Sequence, residues 1–140
     1  MTEKFKILAK YIKDMSSETK DVETHIFVKD NILKYHLNIE IKSITLKNKM
    51  IEINTILKFE DKNNSKKKSY FEMNYATIVK IDDDVKEKKE LEKILLCNVQ
   101  LKISRELEIS FLNMLHNSGY PEVKFEKKLD FEELYMQRFN

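Results

Sequence analysis

The sequence predicts an α+β fold in which a four-stranded antiparallel sheet, built as a meander, is followed by helices packed on one of its faces. Three consecutive segments between Leu33 and Ile81 alternate apolar and polar side chains, which is the pattern of strands with one buried face. Short polar stretches join these segments, so the strands are expected to run antiparallel. Only helical patterns remain to cover the apolar face. A large sheet surface is therefore left open, which favours a surface for protein contacts over a catalytic pocket.

The first strand is predicted close to the N-terminus and carries apolar residues on both faces. One face holds Phe5, Ile7, Ala9 and Tyr11, and the other mixes lysines with a leucine and an isoleucine. A strand of this kind is expected to be covered on both sides or to pair across an interface. Residues 14–31 show no clean period, so we expect a long crossing loop between the first and second strands.

Each of the next three strands places every second residue on an apolar face. Polar residues occupy the alternate positions and define a solvated face. The hairpin connections are predicted at residues 42–50 and 60–69. The apolar faces consist of Leu33, Tyr35, Leu37, Ile39 and Ile41 in the second strand, of Ile51, Ile53, Thr55, Leu57 and Phe59 in the third, and of Phe71, Met73, Tyr75, Thr77, Val79 and Ile81 in the fourth.

Helical patterns follow the last strand. The run Asp82–Asp84 places carboxylates where a helix N-terminus favours negative charge, so a helix is predicted to start there. A second helix carries Leu107 and Phe111 at helical spacing and ends at the segment 117–121, which contains a glycine and a proline. A last short helix is predicted over Asp130–Phe139, beginning at its aspartate cap.

Length and composition indicate a single domain over residues 1–140 without a membrane segment. The 26 Lys and Arg residues nearly balance the 24 Asp and Glu residues, and the resulting net charge of +2 is no nucleic-acid signature by itself. Lysines interrupt the apolar residues near the N-terminus, so neither an export signal nor a membrane span is predicted. The single cysteine, Cys97, excludes an internal disulfide framework and fits a reducing compartment. We therefore expect a cytoplasmic protein that does not insert into the membrane.

The sequence shows no constellation typical of an enzyme, and no catalytic residue, metal ligand or cofactor is predicted. Three histidines, His25, His36 and His116, lack the spacing of a metal site. Gly119 is the only glycine, which excludes a glycine-rich loop that cradles phosphate. The run Lys66–Lys68 could contact phosphate, but a solvated hairpin tip is the more common role of such lysines.

Several segments resemble the SecB family of protein-export chaperones. Tyr11–Glu18 combines an aromatic residue, a Lys-Asp pair, serines and a glutamate at the family's spacing, and Leu129–Met136 resembles the family's closing helix. Between them, Thr24–Asp30 is similar to the crossover segment and Tyr70–Ala76 to the last strand. Cys97, Leu101 and Arg105–Glu106 match the helical region of the family, ahead of Gly119–Pro121. The similarities cover nearly the whole chain and follow the family's order.

This resemblance implies an ATP-independent cytosolic chaperone, a holdase, which keeps secretory precursors unfolded and delivers them to the SecA motor. It also implies assembly as a homotetramer that is a dimer of dimers. In the family, an acidic sheet surface meets SecA, and apolar grooves beside the crossover segment and the main helix hold extended clients. The expected partners are therefore unfolded preproteins, SecA and further copies of the chain, without nucleic acid.

The resemblance also assigns residues to both binding functions by position. Asp14, Glu18 and Glu72 would be acidic SecA contacts, with Tyr70 as their apolar neighbour. Leu107 and Phe111 on the second helix are also predicted to bind clients, but burial in the core explains their helical spacing equally well. The full client-binding set is Phe27, Tyr75, Leu101, Leu107 and Phe111.

The sequence departs from the family in two respects, and two alternatives stay open. Residues 98–104 replace the prolines and aromatic residues usual at this point, and the chain is slightly basic where the family is usually acidic. Because the chain is slightly basic, we expect its affinity for SecA to be altered. The first alternative is a SecB-like chaperone dedicated to one client, such as an antitoxin. The second is a single-stranded nucleic-acid-binding module that uses the lysine-rich hairpins.

Overall fold

The computed structural model describes residues 4–61, 63 and 65–125, and it confirms the predicted α+β fold. A short 3-10 turn over Ile32–Lys34 joins the first helix to the second strand. The helix predicted over Asp130–Phe139 lies outside the described residues. The regular elements are β1 (Phe5–Glu18), α1 (Val22–Asn31), β2 (Tyr35–Thr45), β3 (Met50–Asp61), β4 (Tyr70–Ile81), α2 (Lys88–Lys93) and α3 (Val99–Asn117).

The four strands form one antiparallel sheet in the order β1-β4-β3-β2. β2, β3 and β4 make the predicted meander, in which Leu57 stands opposite Ile39 on one side and opposite Met73 on the other. β1 crosses over and pairs with β4. β1 and β2 are consequently the two edges, and within the described part of the chain no further strand pairs with either of them.

The two faces of the sheet have different environments. Residues that stand directly opposite each other in an antiparallel pair share a face. On the inner face, Leu57, Met73 and Val79 are fully buried beneath the helical segment. On the outer face, Glu40 and Lys58 stand in strands that carry polar residues at alternate positions. The prediction of one apolar and one mostly polar face is confirmed, but Asn54 and Ala76 at the centre of the outer face are buried.

β1 is longer than predicted, because it continues through residues 14–18, which the sequence had suggested for the crossing loop. Its register with β4 shifts between Ile7 and Ala9 and again between Ile12 and Asp14. Each shift interrupts the alternation of faces, so the sequence pattern of the strand is lost. The last five residues are also exposed on an edge strand, which suits their mostly polar side chains.

The predicted crossing loop contains the helix α1, so that prediction was wrong. Asp21 caps this helix, since its side chain accepts a hydrogen bond from the backbone N–H of Thr24 at 2.8 Å. Val28 is fully buried, whereas Val22 and Ile26 are exposed. Apolar residues therefore lie on both sides of α1, and the sequence shows no helical period there.

The prediction that a helix starts at Asp82–Asp84 was also wrong. α2 begins at Lys88, after a segment in which Asp83 forms an ion pair with Lys49 of the β2–β3 turn. The hydrogen bond from Lys49 holds the pKa of the Asp83 carboxyl below its usual value. The negative charge of Asp83 is therefore balanced by a lysine of the neighbouring turn, and it does not lie at the start of a helix.

The two predicted helices α2 and α3 exist, but they form one continuous helical segment. A π-helical turn over Ile94–Asn98 joins them, and such a turn interrupts the regular hydrogen-bond ladder of a helix. Gln100 Nε2 donates to the Leu95 carbonyl at 3.3 Å, and Gln100 Oε1 accepts from Thr55 Oγ1 at 2.8 Å. The buried Gln100 amide therefore ties the π turn to β3.

The core consists of two apolar clusters with a polar layer between them. The larger cluster packs against the C-terminal half of α3, and the smaller one surrounds the π turn. The polar residues between them are Thr55, Thr77 and Gln100, and all three are buried. An unpaired polar group in such a layer would be costly. The hydrogen bond between Thr55 and Gln100 therefore stabilises the junction of helix and sheet.

We expect Gln100→Met to lower the free energy of unfolding by about 1–3 kcal/mol, because the side-chain volume is kept while Thr55 and the Leu95 carbonyl lose their partner. Urea unfolding at a fixed protein concentration measures this change. Asn113→Ala, on the exposed side of α3, is the control and should shift stability by less than about 0.5 kcal/mol. Equal stability of the two variants would contradict the role given to Gln100.

Candidate functional site

The four residues predicted for SecA binding lie together on the outer face of β1 and β4. Glu18 stands directly opposite Tyr70, and Glu72 lies two residues further along β4, on the same face. Asp14 lies on that face of β1, opposite Asn74. We name Asp14, Glu18, Tyr70 and Glu72 the sheet patch. The structure thus brings together residues from two distant segments, while their role as SecA contacts stays a prediction.

The sheet patch is bordered by lysines. Lys58 of β3 stands opposite Glu72, and the Lys68 ammonium lies 5.7 Å from the centre of the Tyr70 ring. A shallow pocket beside the patch is lined by Glu18, Lys20, Thr24, Lys66, Lys67, Lys68 and Tyr70. The patch therefore has mixed charge, and steering of a basic partner towards it should be weaker than towards a purely acidic surface.

A second candidate surface runs along α1. Val22 is 69% exposed and Ile26, one helical turn later, is 56% exposed, while the predicted client residue Phe27 is 38% exposed. Leu33, which the sequence had suggested for the inner face of β2, instead lies in the 3-10 turn before it and is 91% exposed. We name Val22, Ile26, Phe27 and Leu33 the α1 stripe. Of these four residues, only Phe27 was predicted from the sequence to bind clients. The four-residue spacing of Val22 and Ile26 after a capping aspartate could have indicated the exposed side of a helix.

Three other predicted client residues lie inside the chain. Leu107 and Phe111 are fully buried in the larger core cluster, and Tyr75 is nearly so. The Tyr75 hydroxyl donates to Glu106 Oε2 at 3.2 Å, and burial, followed by the Glu106 charge, raises the pKa of Tyr75. Leu101 is half-exposed on α3. The client role of these four residues stays a prediction. Of the four, only Leu101 presents much surface to a ligand.

A third surface lies where β1 runs beside α3. Lys10 of β1 donates to both carboxylate oxygens of Glu106 at 2.8 and 2.7 Å, and this hydrogen bonding lowers the pKa of Glu106. On either side of this contact, apolar side chains are exposed at the free edge of the sheet. We name them the edge surface, which consists of Ile12, Met15, Leu101 and Ile109. Apolar exposure next to an unpaired strand is typical of an interface.

Within the described residues, no group of three or more His, Cys, Asp or Glu side chains could hold a metal ion. Cys97 is buried in the π turn. The described helices include none that is both long and apolar enough to cross a bilayer.

The whole chain, residues 1–140, matches the family model described as preprotein translocase subunit SecB. The chain belongs to the SecB family. A relative from Pelagibacter ubique (strain HTCC1062), named "Putative protein-export protein SecB", is 58% identical over 140 residues, which is the full length of both chains. The resemblance that the sequence suggested is confirmed.

The fold has a solved counterpart in a SecB-like chaperone. The SecB-like chaperone of Mycobacterium tuberculosis, solved in complex with a ChAD peptide from the HigA1 antitoxin, aligns with a TM-score of 0.56 at 8% sequence identity. The alignment covers 89% of this chain and 90% of that one. At this identity the comparison speaks for the fold alone, and it supports the four-stranded sheet with helices. SecB is a chaperone family, and this chain is a SecB-type chaperone.

Proposed function

We propose that this protein is an ATP-independent holdase of the cytoplasm, which binds unfolded secretory precursors and delivers them to the SecA motor. The observation that carries the proposal is the exposed α1 stripe in a chain of the SecB family. A stable fold that leaves four apolar side chains exposed on one short segment offers a binding site for apolar stretches of an unfolded chain. The full-length similarity to a protein-export relative favours export over service to a single client.

The affinity for clients is proposed to come from apolar burial and from pairing with extended backbone. Burial contributes about 25 cal/mol per Å² of apolar surface, so several client side chains on the α1 stripe suffice for useful affinity after the ordering cost of the client. Neither term requires a nucleotide. Selection is then kinetic, because a slowly folding precursor exposes apolar segments long enough to be caught.

The sheet patch is proposed as the docking surface for SecA. It lies on the outer face of β1 and β4, opposite the face on which the helical segment packs. Charges on an exposed surface contribute mainly to the association rate and to specificity. The lysines beside the patch suggest that SecA binding here depends less on salt than it would on an acidic surface.

The edge surface is proposed to join copies of the chain into a homotetramer built as a dimer of dimers. β1 is an edge strand of the sheet that the described residues form, and Ile12 and Met15 are exposed on its inner face. Leu101 and Ile109 extend the same apolar surface on α3. Association would bury these side chains and satisfy the backbone of the edge strand.

The client site is tested by placing a charge on the α1 stripe. Phe27→Asp and Ile26→Asp should each weaken binding of a permanently unfolded precursor by about tenfold, because one buried apolar side chain contributes about 1.5–3 kcal/mol. Fluorescence anisotropy of the labelled precursor measures the Kd. Ile44→Asp is the matched control, since Ile44 is 49% exposed on β2. Wild-type affinity in both α1 variants would remove α1 from the client site.

The SecA site is tested by reversing one charge of the sheet patch. Glu72→Lys places a second lysine opposite Lys58 and should weaken SecA binding at low salt by about fivefold or more, while client binding is kept. Glu40→Lys, on the outer face of the far edge strand, is the control and should bind SecA normally. If SecA binds the Glu72 variant and the control equally well, the sheet patch is not the docking surface.

The assembly is tested by static light scattering at micromolar concentration. We expect a mass four times that of the 16.8 kDa chain. Ile109→Lys, at the edge surface, should shift the distribution towards smaller species, because a charge there cannot be buried without cost. A wild-type protein that stays monomeric would contradict the proposed tetramer.

A further inference from the structure

Three hydroxyl groups form a closed triangle beneath the sheet patch. Tyr120 is fully buried, and its hydroxyl lies 2.9 Å from Thr19 Oγ1 and 2.9 Å from Ser69 Oγ. Thr19 Oγ1 and Ser69 Oγ are 2.7 Å apart. Since each hydroxyl can donate one hydrogen bond and accept another, the triangle satisfies all three groups. We name Thr19, Ser69 and Tyr120 the hydroxyl triangle.

The hydroxyl triangle closes the end of the β1–β4 ladder. Thr19 follows Glu18 in the chain and Ser69 precedes Tyr70, and Glu18 with Tyr70 is the last register pair of the two strands. The backbone N–H of Ser69 also donates to the hydroxyl of Tyr35 at 3.1 Å. Two residues of the sheet patch are therefore direct chain neighbours of the triangle.

The turn that carries Tyr120 holds β1 at a second point. Ser17 Oγ donates to Ser118 Oγ at 2.6 Å, and Ser118 Oγ donates to the Met114 carbonyl of α3 at 2.6 Å. Gly119, between Ser118 and Tyr120, has φ +104°, a conformation that side-chain-bearing residues rarely adopt. Ser17 of β1 and Thr19, the residue that directly follows β1, are thus held by two residues of one turn after α3.

The same turn also packs closely on α1. A Cβ atom at Gly119 would lie 2.9 Å from His25 Cε1, and the rings of His25 and Tyr120 have their centres 5.0 Å apart. The turn is therefore fixed from several directions: by α3 before it, by α1 beside it and by the end of β1. A turn held in this way can fix the strand end that it contacts.

The end of β1 needs such support. It is the edge strand, it follows the register shift at residues 12–14, and residues 14–18 are all exposed. Strand ends of this kind open easily, because few buried contacts oppose their fraying. If the end of β1 frayed, Glu18 would lose its fixed place opposite Tyr70, and a partner would bear the cost of ordering both.

We infer that the hydroxyl triangle is a positioning element for the sheet patch, which holds Glu18 and Tyr70 in the arrangement that a partner protein meets. The inference rests on the proposed function, in which SecA docks on this patch. Thr19, Ser69 and Tyr120 act through their neighbours, and Tyr120 itself is buried beneath the surface. The hydroxyl groups contribute by preorganisation.

The test compares Thr19→Val, which removes the hydroxyl and keeps the shape, with Thr19→Ser, which keeps the hydroxyl. Thr19→Val should weaken SecA binding by about fivefold, the equivalent of one net hydrogen bond, and Thr19→Ser should stay within about twofold of wild type. Tyr120→Phe is the second variant and should match Thr19→Val. The Kd for an unfolded precursor should be unchanged in all three variants.

Amide hydrogen exchange supplies a readout that does not involve SecA. In Thr19→Val, residues 16–19 and 70–72 should exchange faster than in wild type by about fivefold, while residues 103–115 of α3 keep their protection. Tyr75→Phe is the control, because it removes a hydroxyl from the contact with Glu106 instead. It should leave the exchange rates of residues 16–19 and 70–72 unchanged.

Wild-type SecA affinity in Thr19→Val and Tyr120→Phe would overturn the inference. It is equally overturned if client binding falls in parallel, since the hydroxyls would then support the fold as a whole. Glu72→Lys in the same assay separates this failure from a failure of the proposed function. When Glu72→Lys weakens SecA binding and the triangle variants do not, the patch stands and the positioning role is wrong; when none of them does, the SecA site itself is wrong.

Discussion

The helical segment packs on only one face of the sheet, and the exposed surfaces of the protein follow from this single layer. Strands of 11 to 14 residues offer two faces and two edges, but α2 and α3 cover the inner face alone. Among the described residues, much of the outer face, the β1 edge and one side of α1 carry exposed side chains. The core therefore supplies stability, and the sheet patch, the α1 stripe and the edge surface consist of residues that it leaves exposed.

The same helical segment also determines where these surfaces lie. Near the start of α3, Gln100 joins the π turn to Thr55 of β3, so the helix has one defined position over the sheet. Past the end of α3, Ser118 and Tyr120 hold Ser17 of β1 and Thr19, which directly follows β1. These polar contacts thus orient the helix on the sheet. The apolar packing between helix and sheet would by itself tolerate small shifts of the helix. The sheet patch and the α1 stripe both border the second of these contacts.

The sequence predicted the elements whose pattern is local and failed where the pattern depends on distant residues. Alternation identified the meander, because β2, β3 and β4 keep one register throughout. α1 was missed because Val22 and Ile26 are exposed, and the end of β1 was missed because register shifts break its alternation. The sheet patch was assigned by family resemblance alone. The contact of Thr19 with Tyr120 joins residues 101 positions apart, and no local pattern indicates it.

The proposed function requires that this SecB-type chain hold unfolded clients by passive contact on exposed apolar surface. The most direct measurement is the refolding rate of a slowly folding precursor, with and without the protein, in the absence of nucleotide and with added ATP. We expect a delay that grows with chaperone concentration and is the same in both conditions. No delay at a stoichiometric amount of protein, or a delay that appears only with ATP, would contradict it.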